Sequence, residues 1–236
     1  MLKPRYRRIL LKLSGEALSG EKDHGIDFPT VLNICKAINE CCKLGVQIGI
    51  VVGGGNFLRG HTSSELDRTR ADHMGMLATT INSLGIASML EKLGVIVRVQ
   101  TAVSMRQFAE PYIRNKALSH MTKGRVVVFA CGTGNPFFST DTAASLRAAE
   151  VDANIVLKAT TVDGVYDSDP KLNKNAVKYQ AVSFQDVLSK NLGFMDSTAA
   201  SLCRDNKIPV LVFSIKEPNN IVRAVCEENI GTLVKN

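Results

Sequence analysis

The sequence predicts an α/β fold, a three-layer α/β/α sandwich in which helices cover both faces of a mostly parallel central sheet. Short continuous apolar runs alternate with helical patterns along the chain, and such runs are typical of strands buried on both faces. No internal repeat, low-complexity segment or linker interrupts this alternation, and 236 residues suit one α/β domain. We therefore predict a single domain over residues 1–236.

The strand predictions rest on short apolar runs, and the helix predictions rest on apolar residues that recur every three to four positions. Asp27 is a candidate N-cap for the first helix, and Gly45 is a candidate stop. Between Thr160 and Tyr179 the pattern is too loose to predict an element. The predicted strands are Ile9–Leu13, Gln47–Val52, Val95–Gln100, Arg125–Phe129, Ile155–Lys158, Val210–Phe213 and Thr232–Val234. The predicted helices are Pro29–Leu44, Asp72–Leu93, Ala109–Met121, Thr142–Glu150, Phe184–Ser189, Ser197–Asn206 and Asn219–Glu227.

The charge balance favours a negatively charged ligand. Lys and Arg total 29 and Asp and Glu total 22, so the formal net charge is +7. A basic surface suits either nucleic acid or small phosphorylated molecules. Aromatic residues make up only 6% of the chain, and none interleave with a basic stripe, as they do in many proteins that bind nucleic acid. We therefore favour small phosphorylated ligands, with nucleic acid as the lesser alternative.

The six cysteines and the apolar runs indicate the cellular setting. The cysteines form no Cys-x-x-Cys pair and no Cys/His cluster with zinc spacing, so we predict small buried thiols and no protein-held metal. The N-terminus is basic and then apolar, but Lys12 interrupts the apolar run too early for a signal peptide. No stretch approaches the ~20 apolar residues of a membrane span. We expect a cytoplasmic protein with reduced thiols.

The first of three glycine-rich turns follows the first predicted strand and carries Lys12, Ser14 and Gly15. In parallel sheets, ligands bind beyond the carboxyl ends of the strands. A lysine at this point can direct its ammonium group, together with backbone N–H groups of the turn, at one anion. The alternative is a lysine that extends from the strand end into solvent.

The second turn places three consecutive glycines, Gly53–Gly55, directly after the second predicted strand. Glycines allow the backbone to approach a phosphate closely. Arg59 follows within reach and can bind phosphate oxygens through two N–H groups. A plain tight turn is the alternative, although few tight turns need three glycines.

The third turn is residues 132–141, between the predicted strand that ends at Phe129 and a helix. It contains glycines, hydroxyl groups and a carboxylate, and a phosphate at a helix N-terminus would suit these groups. The alternative is that Thr140 or Asp141 caps the helix.

Two common nucleotide-binding motifs are absent from the sequence. No segment reads Gly-x-x-x-x-Gly-Lys-Ser/Thr, and Gly53–Gly55 does not complete Gly-x-Gly-x-x-Gly. Hydride transfer on a dinucleotide is therefore disfavoured.

Together, the motifs resemble the amino-acid kinase superfamily, and most closely its uridylate kinase branch, over the chain from Tyr6 to the C-terminus. Two features depart from the family pattern. The order Phe57-Leu58 is reversed, since the family usually has an aliphatic residue followed by Phe at these positions. The segment from Gly60 to Arg70 matches no assignable pattern. The matching motifs are Lys-Leu-Ser-Gly-Glu-Ala-Leu at 12–18, Gly-Gly-Gly-Asn at 53–56 with Arg59, Ala-Asp-His-Met-Gly-Met at 71–76, Gly-Thr-Gly-Asn-Pro-Phe-Phe-Ser-Thr-Asp at 132–141, Leu-Lys-Ala-Thr at 157–160, and Val-Asp-Gly-Val-Tyr at 162–166 with Asp169 and Pro170.

This resemblance implies an amino-acid-kinase-type domain that transfers the γ-phosphoryl group of ATP to UMP, giving UDP and ADP in pyrimidine nucleotide biosynthesis. It also implies Mg²⁺, which would bridge the β- and γ-phosphates of ATP with mostly water and phosphate ligands. ATP contacts are implied for Lys12, Leu13, Ser14, Gly15, Gly55, Arg59, Thr160, Tyr166 and Asp169. UMP contacts are implied for Gly54, Asp72, Thr133, Gly134, Asn135, Pro136, Phe137, Phe138, Ser139 and Thr140.

The resemblance further implies a homohexamer that GTP activates and UTP inhibits. The segment 20–25 resembles a position involved in activation by GTP, although an ordinary polar loop explains the segment equally well. It consists of Gly20, Glu21, Lys22, Asp23, His24 and Gly25.

Phosphoryl transfer to a phosphate acceptor needs positive charge and alignment more than a general base, because the acceptor oxygen is already ionised. We therefore predict Lys12 and Asp141 as the catalytic residues. Lys12 would stabilise charge in the transition state, and Asp141 would hold the Lys12 ammonium in position. Lys158 ends another predicted strand, and its role stays open between a phosphate contact and a surface position.

Two other functions remain open from the sequence. One is a kinase of the same superfamily that acts on a carboxylate or carbamate, and the other is a nucleotide-sensing regulator that binds operator DNA. For Asp72, a helix N-cap or first-turn acid is the alternative to a contact with a ribose hydroxyl of UMP.

Overall fold

A computed structural model describes residues 3–58, 66–170, 172–226 and 230–236. Its strands are β1 (Arg8–Leu13), β2 (Gln47–Val52), β3 (Val97–Thr101), β4 (Glu110–Pro111), β5 (Val126–Ala130), β6 (Ile155–Thr160), β7 (Ala181–Ser183), β8 (Val210–Ser214) and β9 (Thr232–Lys235). Its α-helices are α1 (Phe28–Lys43), α2 (Arg68–Lys92), α3 (Arg114–Thr122), α4 (Thr140–Glu150), α5 (Phe184–Ser189), α6 (Ser197–Asp205) and α7 (Asn220–Val225).

Within these described ranges, the strands form one nine-stranded sheet in the order β4-β3-β5-β2-β1-β6-β8-β9-β7. Neighbouring strands are parallel throughout, apart from the antiparallel pair β8 and β9. The predicted mostly parallel α/β fold is therefore confirmed.

Alternating side chains along each central strand supply two hydrophobic clusters, one on each face of the sheet. Ile9, Leu11 and Leu13 of β1 pack in the cluster that α1, α2 and α7 cover. Leu10 packs in the other cluster, with side chains from α3 to α6. Lys12 shares the orientation of Leu10, so it points toward the layer that contains α4.

The first helix begins and ends as predicted. The Asp27 side chain accepts a hydrogen bond from the backbone N–H of Thr30 at 3.0 Å, which is the geometry of an N-cap. Gly45 follows the helix with a φ of +81°, a left-handed conformation that glycine adopts at little cost.

Two helix predictions need correction. The helix predicted over Ala109–Met121 begins only at Arg114, because Pro111 fixes its own φ and disfavours a helical conformation at Glu110. Residues Glu110 and Pro111 instead form β4, which pairs with β3. The second helix begins at Arg68, four residues earlier than predicted, because Asp67 caps it by accepting from the Arg70 N–H at 3.1 Å.

The described part of the chain contains no helix that is both long and apolar enough to cross a membrane.

Candidate active site

The first two glycine turns meet at the carboxyl edge of β1 and β2. The backbone N–H of Gly53 donates to the carbonyl oxygen of Leu13 at 2.9 Å. A Cβ atom at Gly15 would lie 2.6 Å from Asn56 Oδ1 and 2.7 Å from the backbone nitrogen of Gly55. Such distances leave no room for a side chain at Gly15, so the two turns pack backbone against backbone.

Two lysines and one aspartate gather beside these turns. Lys12 and Lys158 stand opposite each other in the register of β1 and β6, and they are only 9% and 6% exposed. The Nζ atom of Lys12 lies 2.9 Å from Asp141 Oδ1, and the Nζ atom of Lys158 forms a very short ion pair with Asp141 Oδ2. Burial rules out the solvent-exposed alternatives for both lysines.

Asp141 is free to bind the lysines because another residue caps α4. The Ser139 side chain accepts hydrogen bonds from the backbone N–H groups of Asp141 and Thr142, at 3.0 and 3.1 Å. The alternative reading of the third turn, in which Thr140 or Asp141 caps this helix, is therefore wrong.

The three charged groups shift one another's pKa values. Burial alone would raise the pKa of Asp141, but Lys12 and Lys158 outweigh it and lower that pKa from 3.8 to about 2. Burial also lowers the pKa of Lys158 from 10.5 to about 8; Asp141 opposes this shift, and Lys12 adds to it. With all three groups ionised, the cluster holds one net positive charge, which suits a phosphate.

A cavity of about 430 Å³ lies on one side of the cluster. Thr160, Tyr166 and Asp169, which were predicted from the sequence, line it. The segment 190–194 also lines this cavity, and no sequence motif indicated it. Phe194 of that segment lies 5.9 Å from Lys158 Nζ, measured to the ring centroid, so the cavity reaches the charged cluster.

A smaller cavity of about 110 Å³ lies between α2 and the turn at 132–141. Asp72 lines it together with Thr133, Asn135, Phe138 and Thr140 of the turn. Because Asp67 caps α2, Asp72 sits in the second turn of the helix and is neither its N-cap nor a first-turn acid.

Side chains of α2 bind two residues with left-handed backbone, one within the turn and one directly before it. Phe137 has a φ of +71°, and its N–H donates to Asp72 Oδ2 at 2.8 Å. Cys131 has a φ of +63°, and its N–H donates to Thr79 Oγ1 at 3.0 Å. Non-glycine residues rarely adopt this conformation, so α2 stabilises a strained turn shape.

Asp196 binds the start of α4 beside the charged cluster, and no sequence motif indicated this contact. One of its carboxylate oxygens accepts from Thr142 Oγ1 and from the backbone N–H of Ala199, both at 2.9 Å. The other accepts a very short hydrogen bond from Ser139 Oγ. Its position just before the predicted helix at Ser197 was the available indication, since aspartate is a preferred N-cap.

The outcome differs among the other residues predicted for the ATP site and for the effector segment. The Leu13 side chain is fully buried, so only its backbone faces the turns, and Ser14 accepts from the Ala17 N–H at the start of a 3-10 turn, Gly15–Leu18. The segment 20–25 lies outside both cavities, and the N–H of Gly25 donates to the Asn56 carbonyl at 2.9 Å. Arg59 lies outside the described residues.

The chain belongs to the amino acid kinase family, whose model matches residues 7–214. Within that family it is similar to UMP kinases of known structure. It shares 39% sequence identity with the UMP kinase from Bacillus anthracis, with a TM-score of 0.94 over 98% of this chain and 96% of that one.

Two further structures extend this similarity. The UMP kinase from Ureaplasma parvum is also 39% identical, with a TM-score of 0.92 over 98% of this chain and 100% of that one. The uridylate kinase from Archaeoglobus fulgidus is 29% identical, with a TM-score of 0.75 over 96% of this chain and 99% of that one.

Proposed function

We propose that this protein is a uridylate kinase, which transfers the γ-phosphoryl group of ATP to UMP and forms ADP and UDP. The observation that carries this proposal is the Lys12–Asp141–Lys158 cluster, which adjoins both cavities. Lys158 lies beside Phe194 of the larger cavity, and Asp141 follows Thr140 of the smaller one. A donor in one cavity and an acceptor in the other would meet at the two lysines.

The lysines stabilise the charge that spreads over the transferred group. In the loose transition state of phosphoryl transfer, negative charge is shared among the equatorial oxygens of the moving phosphoryl group and the bridging oxygens. Two ammonium groups fixed in a largely buried site stabilise that charge more than mobile ones in water would. The backbone N–H groups of the first two glycine turns add further donors.

Asp141 positions the lysines and does not accept a proton. Its pKa is lowered to about 2, so it is a weak base at neutral pH. The acceptor oxygen of UMP is already ionised and needs no base. The Asp141 carboxylate instead keeps the two ammonium groups at fixed points and offsets their mutual repulsion.

The larger cavity takes ATP in this proposal, with its nucleoside near Thr160, Tyr166 and Asp169. The smaller cavity takes the phosphate end of UMP against residues 132–140. Phe137 and Phe138 are 64% and 52% exposed at its edge, and such exposed aromatic rings suit a bound base. Asp72 lies on the α2 side of this cavity, where it holds the turn and faces the sugar of UMP.

Magnesium enters this proposal on the phosphates of ATP and not in a protein cage. Among the described residues, no three or more His, Cys, Asp or Glu side chains gather into a metal-binding group. Both oxygens of Asp141 face ammonium groups, which makes this carboxylate a poor metal ligand. Mg²⁺ prefers phosphate oxygens and waters in such sites, and when bound it would neutralise charge on the phosphates.

We also propose the hexamer and the activation by GTP and inhibition by UTP that the family resemblance implies, together with the cytoplasmic location and the single domain expected from the length and the apolar pattern of the sequence. An exposed apolar row on α2 supports self-association: Met74, Leu77 and Ile81 recur at helical spacing and are about half exposed. The N–H of Gly25 donates to the Asn56 carbonyl, so an effector bound at the segment 20–25 would act on the residue that follows the second glycine turn.

The test is to incubate the protein with ATP and Mg²⁺ and to measure ADP with UMP, CMP, AMP or GMP as the acceptor. UMP should support turnover far better than the other three nucleotides. Acetylglutamate and carbamate belong in the same assay, because a kinase of the same family acting on a carboxylate or carbamate would use one of them. Equal turnover with either would refute the proposal.

A further inference from the structure

We propose that Asn56 and Asn82 act as a positioning pair, which holds the Gly53–Gly55 backbone in the shape that receives the phosphates of ATP. This inference rests on the proposed kinase activity. Asn56 follows the glycine turn, and Asn82 lies in α2; both are buried, at 4% and 0% exposure. Neither residue lines the two cavities, so their role is to place other atoms and not to contact substrate.

The two side-chain amides bond to each other reciprocally. Asn56 Nδ2 donates to Asn82 Oδ1 at 3.0 Å, and Asn82 Nδ2 donates to Asn56 Oδ1 at 2.7 Å. A side-chain amide has two N–H groups, and the second one on each residue binds a backbone carbonyl. Asn82 Nδ2 donates to Gly53 O at 2.7 Å, and Asn56 Nδ2 donates to Gly25 O at 2.7 Å.

This network fixes both the orientation of the amides and the backbone of the turn. Rotating either amide by 180° would oppose oxygen to oxygen, so the carbonyls of Gly53 and Gly25 set a single arrangement. The Gly53 carbonyl is held by Asn82 while the Gly53 N–H is held by Leu13. The peptide groups on either side of Gly53 are thus tied to α2 and to β1, and this defines where the following N–H groups point.

Close packing makes the turn sensitive to small displacements. Asn56 Oδ1 is the atom nearest to the Cβ position of Gly15, at 2.6 Å. A Cβ atom at Gly54 would lie 2.9 Å from both Ala78 Cβ and the Gly75 carbonyl of α2. Any movement of the amide pair would therefore disturb both glycine turns, and a misplacement of about 1 Å in a substrate site can slow a reaction about 10²-fold.

An ordinary buried polar pair would affect stability alone, so the test must separate folding from ATP binding. The variants are Asn82→Ser, which shortens the side chain, and Asn82→Leu, which keeps its size and removes its hydrogen bonds. The matched control is Ser83→Ala. Ser83 is also fully buried in α2, but its hydroxyl donates within the helix, to Thr79 O at 2.7 Å, and binds no glycine turn in the described part of the chain.

Steady-state kinetics give KM for ATP and for UMP, calorimetry gives the Kd for ATP, and thermal melting gives Tm. Both Asn82 variants should raise the KM and Kd for ATP roughly 10-fold or more, because the Gly53 carbonyl left unpaired would turn toward water and displace the neighbouring N–H groups from the phosphates. KM for UMP should rise less than KM for ATP in both variants, because Gly54 is the one residue of this turn that the family resemblance assigns to UMP. Ser83→Ala should lower Tm and leave both KM values unchanged.

The pair should also behave as one unit. The double variant Asn56→Ser/Asn82→Ser should lose no more ATP affinity than the worse single variant, because either change breaks the reciprocal bonds. Additive losses of ATP affinity in the double variant would refute the proposal that the two asparagines act as one unit. If Asn82→Leu does not fold, Asn82→Ser decides the matter: an unchanged Kd for ATP beside a lowered Tm would overturn the positioning role.

The calorimetric measurement keeps this inference distinct from the proposed function. A wild-type protein that binds ATP but forms no ADP with UMP would refute the uridylate kinase proposal. A weakened Kd for ATP in Asn82→Ser would still support the positioning role in that case.

Discussion

Lys158 lies directly beside Lys12 in the sheet, because Lys12 of β1 pairs in register with Lys158 of β6. Side chains that are opposite each other on neighbouring strands point to the same face, so two ammonium groups share one largely buried site. Their repulsion would be costly without a nearby carboxylate, and Asp141 at the start of α4 supplies it. The one positive charge left over is available to a phosphate. The ion cluster that is buried on folding can therefore also bind a ligand.

The first prediction concerns Lys12. Lys12→Ala should lower kcat roughly 10²-fold or more, which is the usual effect of losing one strong electrostatic donor. KM for UMP should change little, because the proposal places Lys12 on the ATP side of the site. Lys12→Arg should also be poorly active, since a planar guanidinium does not fit the position of a compact ammonium group.

The control for Lys12 is Lys43→Ala, which removes an exposed lysine paired with Glu40 at the end of α1. Surface ion pairs contribute about 0–1 kcal/mol to stability, so the control should be as active as wild type. A Lys12→Ala enzyme with a near-normal kcat would show that Lys158 performs this role.

The second prediction concerns Asp141 and stability at acid pH. The pKa of Asp141 is lowered from 3.8 to about 2 in the folded protein. Its carboxylate therefore stabilises the fold above about pH 4, and this contribution is lost as the pH falls from about 4 to 2. Asp141→Asn should be less stable than wild type at pH 6 in urea unfolding, and the difference should shrink on acidification.

Asp141→Asn should also lower kcat, because the lysines lose the group that holds them. Asp186→Asn is a suitable control, since Asp186 forms an exposed ion pair with Lys190. If Asp141→Asn has wild-type kcat, Asp141 has only a structural role.

The third prediction concerns Lys158 and alkaline pH. Burial and Lys12 lower the pKa of Lys158 to about 8, so the free enzyme loses this charge as the pH rises through 8. The value of kcat/KM for ATP, which reports the free enzyme, should fall above about pH 8. Bound phosphates would stabilise the ammonium, so the fall in kcat should occur at higher pH.

The lowered pKa of Lys158 changes stability in the direction opposite to its effect on activity: stability rises with pH where kcat/KM falls. Between about pH 8 and the ordinary lysine pKa of 10.5, the unfolded chain holds a proton that the folded protein has released. This group therefore makes the fold more stable as the pH rises through that window.

The variant Lys158→Arg tests the effect on activity. It keeps its charge and should abolish the alkaline fall in kcat/KM. A wild-type profile that stays flat to about pH 10 would contradict the assignment.

The sequence was informative about the fold because each central strand is an uninterrupted apolar run. The bounds predicted for Gln47–Val52 and Phe184–Ser189 are those of β2 and α5. The short edge strands β4 and β7 were missed, since two or three residues carry no periodicity and depend on a neighbouring strand for their hydrogen bonds. The N-terminal turn of α2 was missed because its cap, Asp67, precedes polar residues.

The site could be predicted in part. Lys12 follows from a glycine turn at a strand end, and the family motifs named Asp72 and Asp141. The role of Lys158 depends on β6 being the neighbour of β1, which no local pattern reveals. The hydrogen bonds from Asn82 to the glycine turn likewise join positions 26 and 29 residues apart, so only the tertiary structure brings them together.

The last prediction concerns Asp72 and the choice of sugar. Its carboxylate accepts from the Phe137 N–H at 2.8 Å and from Arg68 Nε at 2.9 Å, so it connects α2 to the turn proposed to hold UMP. A site built to bind a hydroxyl discriminates against a substrate that lacks it, because the hydrogen bond to that hydroxyl is lost. Wild type should therefore prefer UMP to dUMP. Asp72→Asn should raise KM for UMP roughly 10-fold, the equivalent of about 1.4 kcal/mol.

The same helix offers a matched control for Asp72. Asp67→Ala removes the true N-cap and should cost about 1 kcal/mol of stability, with no change in KM for UMP. Asp72→Asn should show the reverse: a nearly unchanged Tm, an unchanged KM for ATP and a narrower preference for UMP over dUMP. If Asp72→Asn lowers Tm as Asp67→Ala does while every KM stays at its wild-type value, Asp72 only supports the fold, and another residue must contact the ribose.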